Sequence, residues 1–226
     1  MSFLSKDTIC AIATASGTAA VSMIRMSGED SHKIAHSRFI RKKQLALQDI
    51  VPNRMYYGEI TDLSDKIIDD VMVTFFKAPH SYTGEDSVEI VCHGSIYIQN
   101  KILEILIQSG ARLAEAGEYT MRAFVNNKMD LTQAEAVADL ISSQNEAEHR
   151  VAMNQLKGGF SKELQVLRSK LLDLTSLMEL ELDFSEEDVE FADRTKLNNL
   201  IDEASAHINK LTDSFRLGKK KKKGTP

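Results

Sequence analysis

The apolar residues change period part-way along the chain, near Ala123–Lys128, and few folds accommodate that change. Before it, short apolar runs alternate roughly with polar residues, as half-buried strands do. Thr8–Ala15 and Val21–Met26 flank the small-residue loop Ser16–Ala20 and read as a strand pair. Arg54–Thr61, Ile67–Phe76 and Ser87–Cys92 read as further strands. Glu29–Ile40 and Ile96–Ser109 read as helices, the second ending at Gly110. After the change no strand pattern survives. Thr132 and Glu135 have the spacing of a capping box, opening a helix expected to run to Lys157 and stop at Gly158-Gly159. Ser161 is expected to cap the next helix. Its Leu164, Leu167, Leu171, Leu174 and Met178 follow spacings of three and four, as a packing seam requires. A third helix is expected over Thr195–Phe215. The reading is an α+β chain: a mixed-sheet domain over 1–124, an all-α bundle segment over 125–218, and a basic tail or linker over 219–226.

With 226 residues, 42% of them apolar, the chain can build one large core or two smaller ones. It has no apolar run long enough to span a bilayer and no signal-peptide pattern at its start. Cys10 and Cys92 lie in apolar runs without paired spacing, which suits a reduced cytoplasmic compartment. The net charge of −5 already includes the run Lys219–Lys223, so the body is more acidic still. Such a body lacks the clustered Lys/Arg face that nucleic acid requires. If RNA is a substrate, another domain or partner holds much of it. The lysine run itself, with no aromatic residues interleaved, reads as a solvated segment.

The densest polar cluster is Ser81–Gly94. Alternation along Ser87–Cys92 sets Glu89 and Val91 apart from Val88, Ile90 and Cys92. Glu89 either anchors a ligand, accepting two N–H groups from a heterocycle edge, or stands exposed at a sheet edge; spacing alone favours the second. Arg25, between Ile24 and Met26, either pairs with an acid across the sheet or reaches an anionic ligand. His93 follows Cys92 directly, and adjacent strand residues face opposite sides, so the pair is a poor metal site; no metal is expected. The acidic stretch Asp183–Glu190 lacks the glycine of an EF-hand loop. Gly218-Lys219 is followed by Lys220, without the final hydroxyl of a phosphate-binding loop, so the chain by itself is not expected to hydrolyse GTP.

Three ordered segments resemble one family, the MnmE (TrmE) tRNA-modification GTPases. They are DTICAIATA with VSMIRMSG, then APHSYTGEDSVEIVCHG, then GEYTMRAFVNNKMDLTQAEAVADLI. In the last, Arg122, Asn126, Lys128, Asp130-Leu131 and Gln133–Ala136 fit in register, and DFSEEDVEF resembles the family's acidic interhelical segment. The likeness spans nearly all of residues 7–218. Two turns depart from the pattern: Ser16–Ala20 replaces a Pro-Gly with paired glycines, and Ala116 stands where a proline is expected.

The resemblance implies a folate-binding-like N-terminal domain that homodimerises and holds a reduced folate of the 5-formyltetrahydrofolate type. It implies that Arg25, Glu89 and Lys128 are the folate contacts. It also implies action with an MnmG-type flavoprotein on wobble uridine 34 of tRNA, in the cytoplasm. GTP, magnesium and potassium belong to the family's G domain, which this chain lacks. Two rivals stand beside this reading. A dimerising scaffold would leave Arg25, Glu89 and Lys128 far apart and individually paired. A self-sufficient aminomethyltransferase would need an acid or base beside the folate, with Asp86 or Glu89 as candidates.

Overall fold

A computed structural model describes residues 7–41, 46–183, 198–206 and 208–209. The acidic stretch beyond Asp183, the lysine run, and the end of the expected third helix lie outside the described residues. The chain divides into two compact units, Met1–Met129 and Asp130–Pro226.

The first unit is built on a seven-stranded sheet in the order β3-β4-β5-β6-β2-β1-β7. Its strands are β1 (Ile9–Ile12), β2 (Val21–Ser27), β3 (Phe39–Ile40), β4 (Met55–Thr61), β5 (Ile67–Phe76), β6 (Ser87–His93) and β7 (Arg112–Leu113). All neighbours are antiparallel except β1 and β7, so the sheet is mixed. The helices of this unit are α1 (Ser31–Arg38), α2 (Ile96–Gln108) and α3 (Glu118–Val125). Alternation places Ile24, Met26, Val73, Phe75, Val88 and Ile90 on one sheet face, where Ile34 of α1 and Ile102 and Leu106 of α2 join them in the core. The opposite face carries two cross-strand rows. One runs Tyr57, Met72, Val91, Met23; the other runs Met55, Thr74, Glu89, Arg25.

The expected helix Glu29–Ile40 is shorter at both ends. It starts at Ser31, and Phe39 and Ile40 leave it to pair with Ile60 and Glu59 of β4. Gly58 permits that pairing: a Cβ there would lie 2.4 Å from the Ile40 carbonyl oxygen, closer than any side chain allows. Both thiols lie in the core, and burial pushes Cys10 and Cys92 up to about 11, with the Asp69 carboxylate adding to the effect at Cys92. An aromatic disulfide reagent at pH 8 is therefore expected to leave both thiols unmodified in the native chain and to titrate both in denaturant. Rapid labelling of either in the native chain would show that the β1–β2–β6 core opens.

The second unit is helical in its described residues: α4 (Leu131–Ser142), α5 (Glu146–Leu156), α6 (Gly159–Asp183), and helical residues at 198–206. Its capping box is not the expected Thr132/Glu135 pair. Asp130 accepts the Gln133 N–H at 2.8 Å while the Gln133 side chain accepts the Asp130 N–H at 2.9 Å. The Thr132 hydroxyl instead donates to Asp130, and so does Ser161, which lies inside α6 and does not cap it. The single helix expected to reach Lys157 is broken at Ser143–Asn145. Ser143 is extended, and the Asn145 side chain accepts the Glu148 N–H at 2.9 Å, so local polar bonds compete with the helix ladder and start a new one. Gly158, at φ 74°, then turns the chain out of α5. Along α6 the expected seam residues Leu164, Leu171 and Met178 are 40%, 43% and 49% exposed.

Candidate functional site

The site lies within the first unit, on the sheet face opposite the core. β2 and β6 pair with Arg25 directly across from Glu89. The Arg25 Nε and Nη2 groups both donate to Glu89 Oε1, at 3.0 and 2.6 Å. The two side chains are 26% and 22% exposed, so the pair is sheltered yet reachable. Two aromatic rings hold the guanidinium from the sides, Tyr82 at 5.4 Å and Tyr119 at 5.8 Å to the ring centroids. The Tyr119 hydroxyl donates to the Arg25 carbonyl at 2.6 Å, and burial pushes that phenol well above its ordinary value.

Arg25 and Glu89 line a cleft of about 270 Å³ together with Asn53, Phe76, Tyr82 and Ser87. The loop between β5 and β6 supplies the remaining wall through His80, Ser81 and Thr83. The structure therefore brings two of the three expected site residues together. Lys128 is not among the cleft walls. It is exposed, and its Nζ donates to the Pro79 carbonyl at 2.9 Å, on the same β5–β6 loop. Its stem passes close to Gly84, where a Cβ would meet Lys128 Cγ at 3.1 Å. Asp86, a candidate acid or base, is not a wall residue either; its carboxylate accepts the Ala78 N–H at 2.8 Å. His93 bonds through Nδ1 to Asp69 at 2.7 Å.

Behind the cleft lies a polar cluster that the expected contacts leave out. Ser27, Thr83 and Ser87 are buried with their hydroxyls mutually bonded, and the Ser27 hydroxyl donates to Glu85 at 2.7 Å. Glu85 is held by Arg122, whose Nη1 lies 3.2 Å from both carboxylate oxygens. The same buried guanidinium donates to Asp7 at 3.0 Å and to Glu118 at 2.9 Å, and Arg112 bonds both of those acids from the other side. One arginine thus ties the start of β1, the β5–β6 loop and α3 together.

Glu118 feels that arrangement most. The hydrogen bonds from Arg112 come first among the causes, and with the Glu115 N–H and Arg122 they hold its carboxyl at about 2, against an ordinary value of 4.5. A carboxyl whose native value is depressed binds fewer protons folded than unfolded. Its stabilisation is complete above about pH 4.5 and is lost as pH falls toward 2. The Glu118→Gln variant is therefore expected to be less stable at pH 7 and to show a flatter acid limb than the native chain in urea unfolding followed from pH 6 to 2. Parallel limbs would remove Glu118 as the source of acid sensitivity.

Residues 8–128 match the family model described as the GTP-binding protein TrmE N-terminus, and residues 131–225 match the one described as the MnmE helical domain. The chain belongs to the MnmE family. Among relatives named tRNA modification GTPase MnmE, that of Porphyromonas gingivalis is 54% identical over 222 residues, 98% of this chain and 47% of that protein. That of Bacteroides thetaiotaomicron is 54% identical over 224 residues, 99% of this chain and 48% of that protein. That of Flavobacterium johnsoniae is 51% identical over 225 residues, with the same two coverages. The chain spans about half the length of these MnmE relatives. Of the residues that carry the MnmE resemblance, Arg122 gave a signal that site reasoning passed over. An arginine on a helix invites an ion pair, yet only the fold shows that Glu85, 37 residues away, receives it.

Proposed function

We propose that this chain holds a reduced folate of the 5-formyltetrahydrofolate type in the Arg25–Glu89 cleft. The observation that carries the reading is the placement of Glu89: a carboxylate on the cleft wall, bonded to Arg25 through Oε1 alone among the described residues. A pterin edge offers the amide and amino N–H groups that such a carboxylate accepts. Tyr82 and Phe76 supply apolar walls for a flat ring. The cleft volume suits the bicyclic head, leaving the anionic tail outside, where exposed Lys128 is suited to it. Bound there, a folate would supply a one-carbon unit; the chain's own residues would orient it and shield the ring.

The same reading makes the chain one half of a homodimer, supported by Met55, Tyr57 and Met72 standing exposed on the open sheet face. In the whole protein it acts in the cytoplasm with an MnmG-type flavoprotein in carboxymethylaminomethyl modification of wobble uridine 34 of tRNA. GTP turnover there belongs to a G domain outside these residues. Calorimetric titration with 5-formyltetrahydrofolate tests the local claim. Saturable binding in the micromolar range is expected, with a particle mass of two chains by light scattering. No heat at high micromolar ligand, with the chain folded, would sink the folate reading.

A further inference from the structure

The hydroxyl cluster behind the cleft has a fixed hydrogen-bond direction, and that direction bears on which ligand the cleft accepts. Glu85, paired with Arg122, is a carboxylate and can only accept. Ser27 therefore spends its one proton on Glu85 Oε2, at 2.7 Å. The 2.6 Å bond between Ser27 and Thr83 must then run the other way, with Thr83 donating to Ser27. The Ser81 hydroxyl donates to the Glu85 carbonyl at 2.6 Å, and Ser87 donates to the same carbonyl at 3.3 Å. Thr83 also receives the Glu85 N–H at 3.3 Å. Ser87 Oγ lies equally 3.3 Å from Ser27 and Thr83, so every hydroxyl proton in the cluster has an acceptor inside it. Ser81, Thr83 and Ser87 line the cleft, and with those bonds made they turn lone pairs toward it.

The geometry points to Glu85 as a specificity-determining positioning residue: through Ser27 it makes the cleft floor an acceptor surface that favours a reduced pterin ring over an oxidised one. This rests on the folate reading above. A tetrahydro or 7,8-dihydro pterin carries an N–H at ring position 8, which an acceptor floor can bind. In the fully oxidised ring that nitrogen is bare, so its lone pair would face lone pairs. Glu85 touches no ligand in this scheme. It acts by fixing the protons of the hydroxyls in front of it.

The Glu85→Gln variant tests the idea because it reverses one bond. A glutamine can keep its oxygen toward Arg122 while its amide donates to Ser27. Ser27 then donates to Thr83, leaving the Thr83 proton to be shared between Ser87, 3.3 Å away, and an acceptor on the ligand. The Ser27→Ala variant cuts the same relay without altering the partners of Arg122. Titrations with 5-formyltetrahydrofolate, 7,8-dihydrofolate and folic acid give a ratio of affinities for each protein. The native chain is expected to prefer both reduced ligands to folic acid by on the order of tenfold or more. Both variants are expected to bring the three ligands within about threefold of one another. A general loss of structure weakens all three together and leaves the ratio unchanged. If Glu85→Gln does not fold, Ser27→Ala decides alone. An unchanged preference in the folded variants overturns the role of Glu85 and leaves the folate reading standing. Equal binding of all three ligands by the native chain does the same. Absence of any folate binding to the folded native chain overturns both.

Discussion

Replacing Arg122 with methionine is expected to lower the unfolding free energy of the first unit by about 1–3 kcal/mol. Methionine keeps much of the apolar stem, so the loss is electrostatic. The guanidinium is buried and answers three carboxylates, on Asp7, Glu85 and Glu118. Asp7 and Glu118 keep Arg112 as a partner. Glu85 keeps only the Ser27 hydroxyl and the chain turn around it, so its charge is left without a cation among the described residues. A single uncompensated charge in that position costs more than the pair contributes when intact, because water reaches the 26%-exposed Glu85 side chain only in part. Lysine is not expected to restore the loss, since a point ammonium cannot span acceptors that a planar fork reaches at once. The chain has five tyrosines and no tryptophan, and all five tyrosines lie in the first unit. Tyrosine emission in urea therefore reports this unit alone. A loss under about 1 kcal/mol would mean that Glu85 finds water, and that the cluster is looser than its geometry indicates.

How much of this was legible beforehand depends on the range of the interactions. The strands β5 and β6 are visible from local alternation, and Ile67–Phe76 has the expected bounds. The errors in the second unit are also local, but they are competitions between neighbouring signals. Asp130 and Thr132 both precede a suitable residue by three, and the carboxylate wins the cap because it already sits where the chain enters the helix. The break at Ser143–Asn145 carried its own signal, Asn145 three residues before Glu148, hidden inside a continuous apolar period. The cleft was legible only in its residue types. Arg25 and Glu89 meet across a register that joins residues 64 apart, and spacing within either strand says nothing about that pairing. The Arg122 contacts with Asp7 span 115 residues. For Lys128, its motif fixes where it stands in the chain but not which wall it faces, and the fold places it against the β5–β6 loop, outside the cleft walls.

Glu89→Gln is expected to weaken folate binding by roughly ten- to a hundredfold while changing unfolding by less than about 1 kcal/mol. The two effects differ because the carboxylate has two different partners. Toward Arg25 it forms an ion pair that is about a quarter exposed on both sides, and such pairs contribute little net stability. Arg25 would remain in place without it, held between the Tyr82 and Tyr119 rings. Toward a pterin edge, the carboxylate accepts N–H donors that have left water, and glutamine offers one acceptor and an opposing donor in its place. Adding Arg25→Met then separates the two possible roles of the arginine. If Arg25 only steadies Glu89, the double variant binds folate no more weakly than Glu89→Gln alone. If Arg25 itself meets the ligand, the double variant loses a further increment. Calorimetry on the native chain, Glu89→Gln, Arg25→Met and the double variant, with urea unfolding alongside, distinguishes these outcomes. Native affinity in Glu89→Gln would remove the carboxylate from the binding site and reduce the Arg25–Glu89 pair to a cross-strand contact of the sheet.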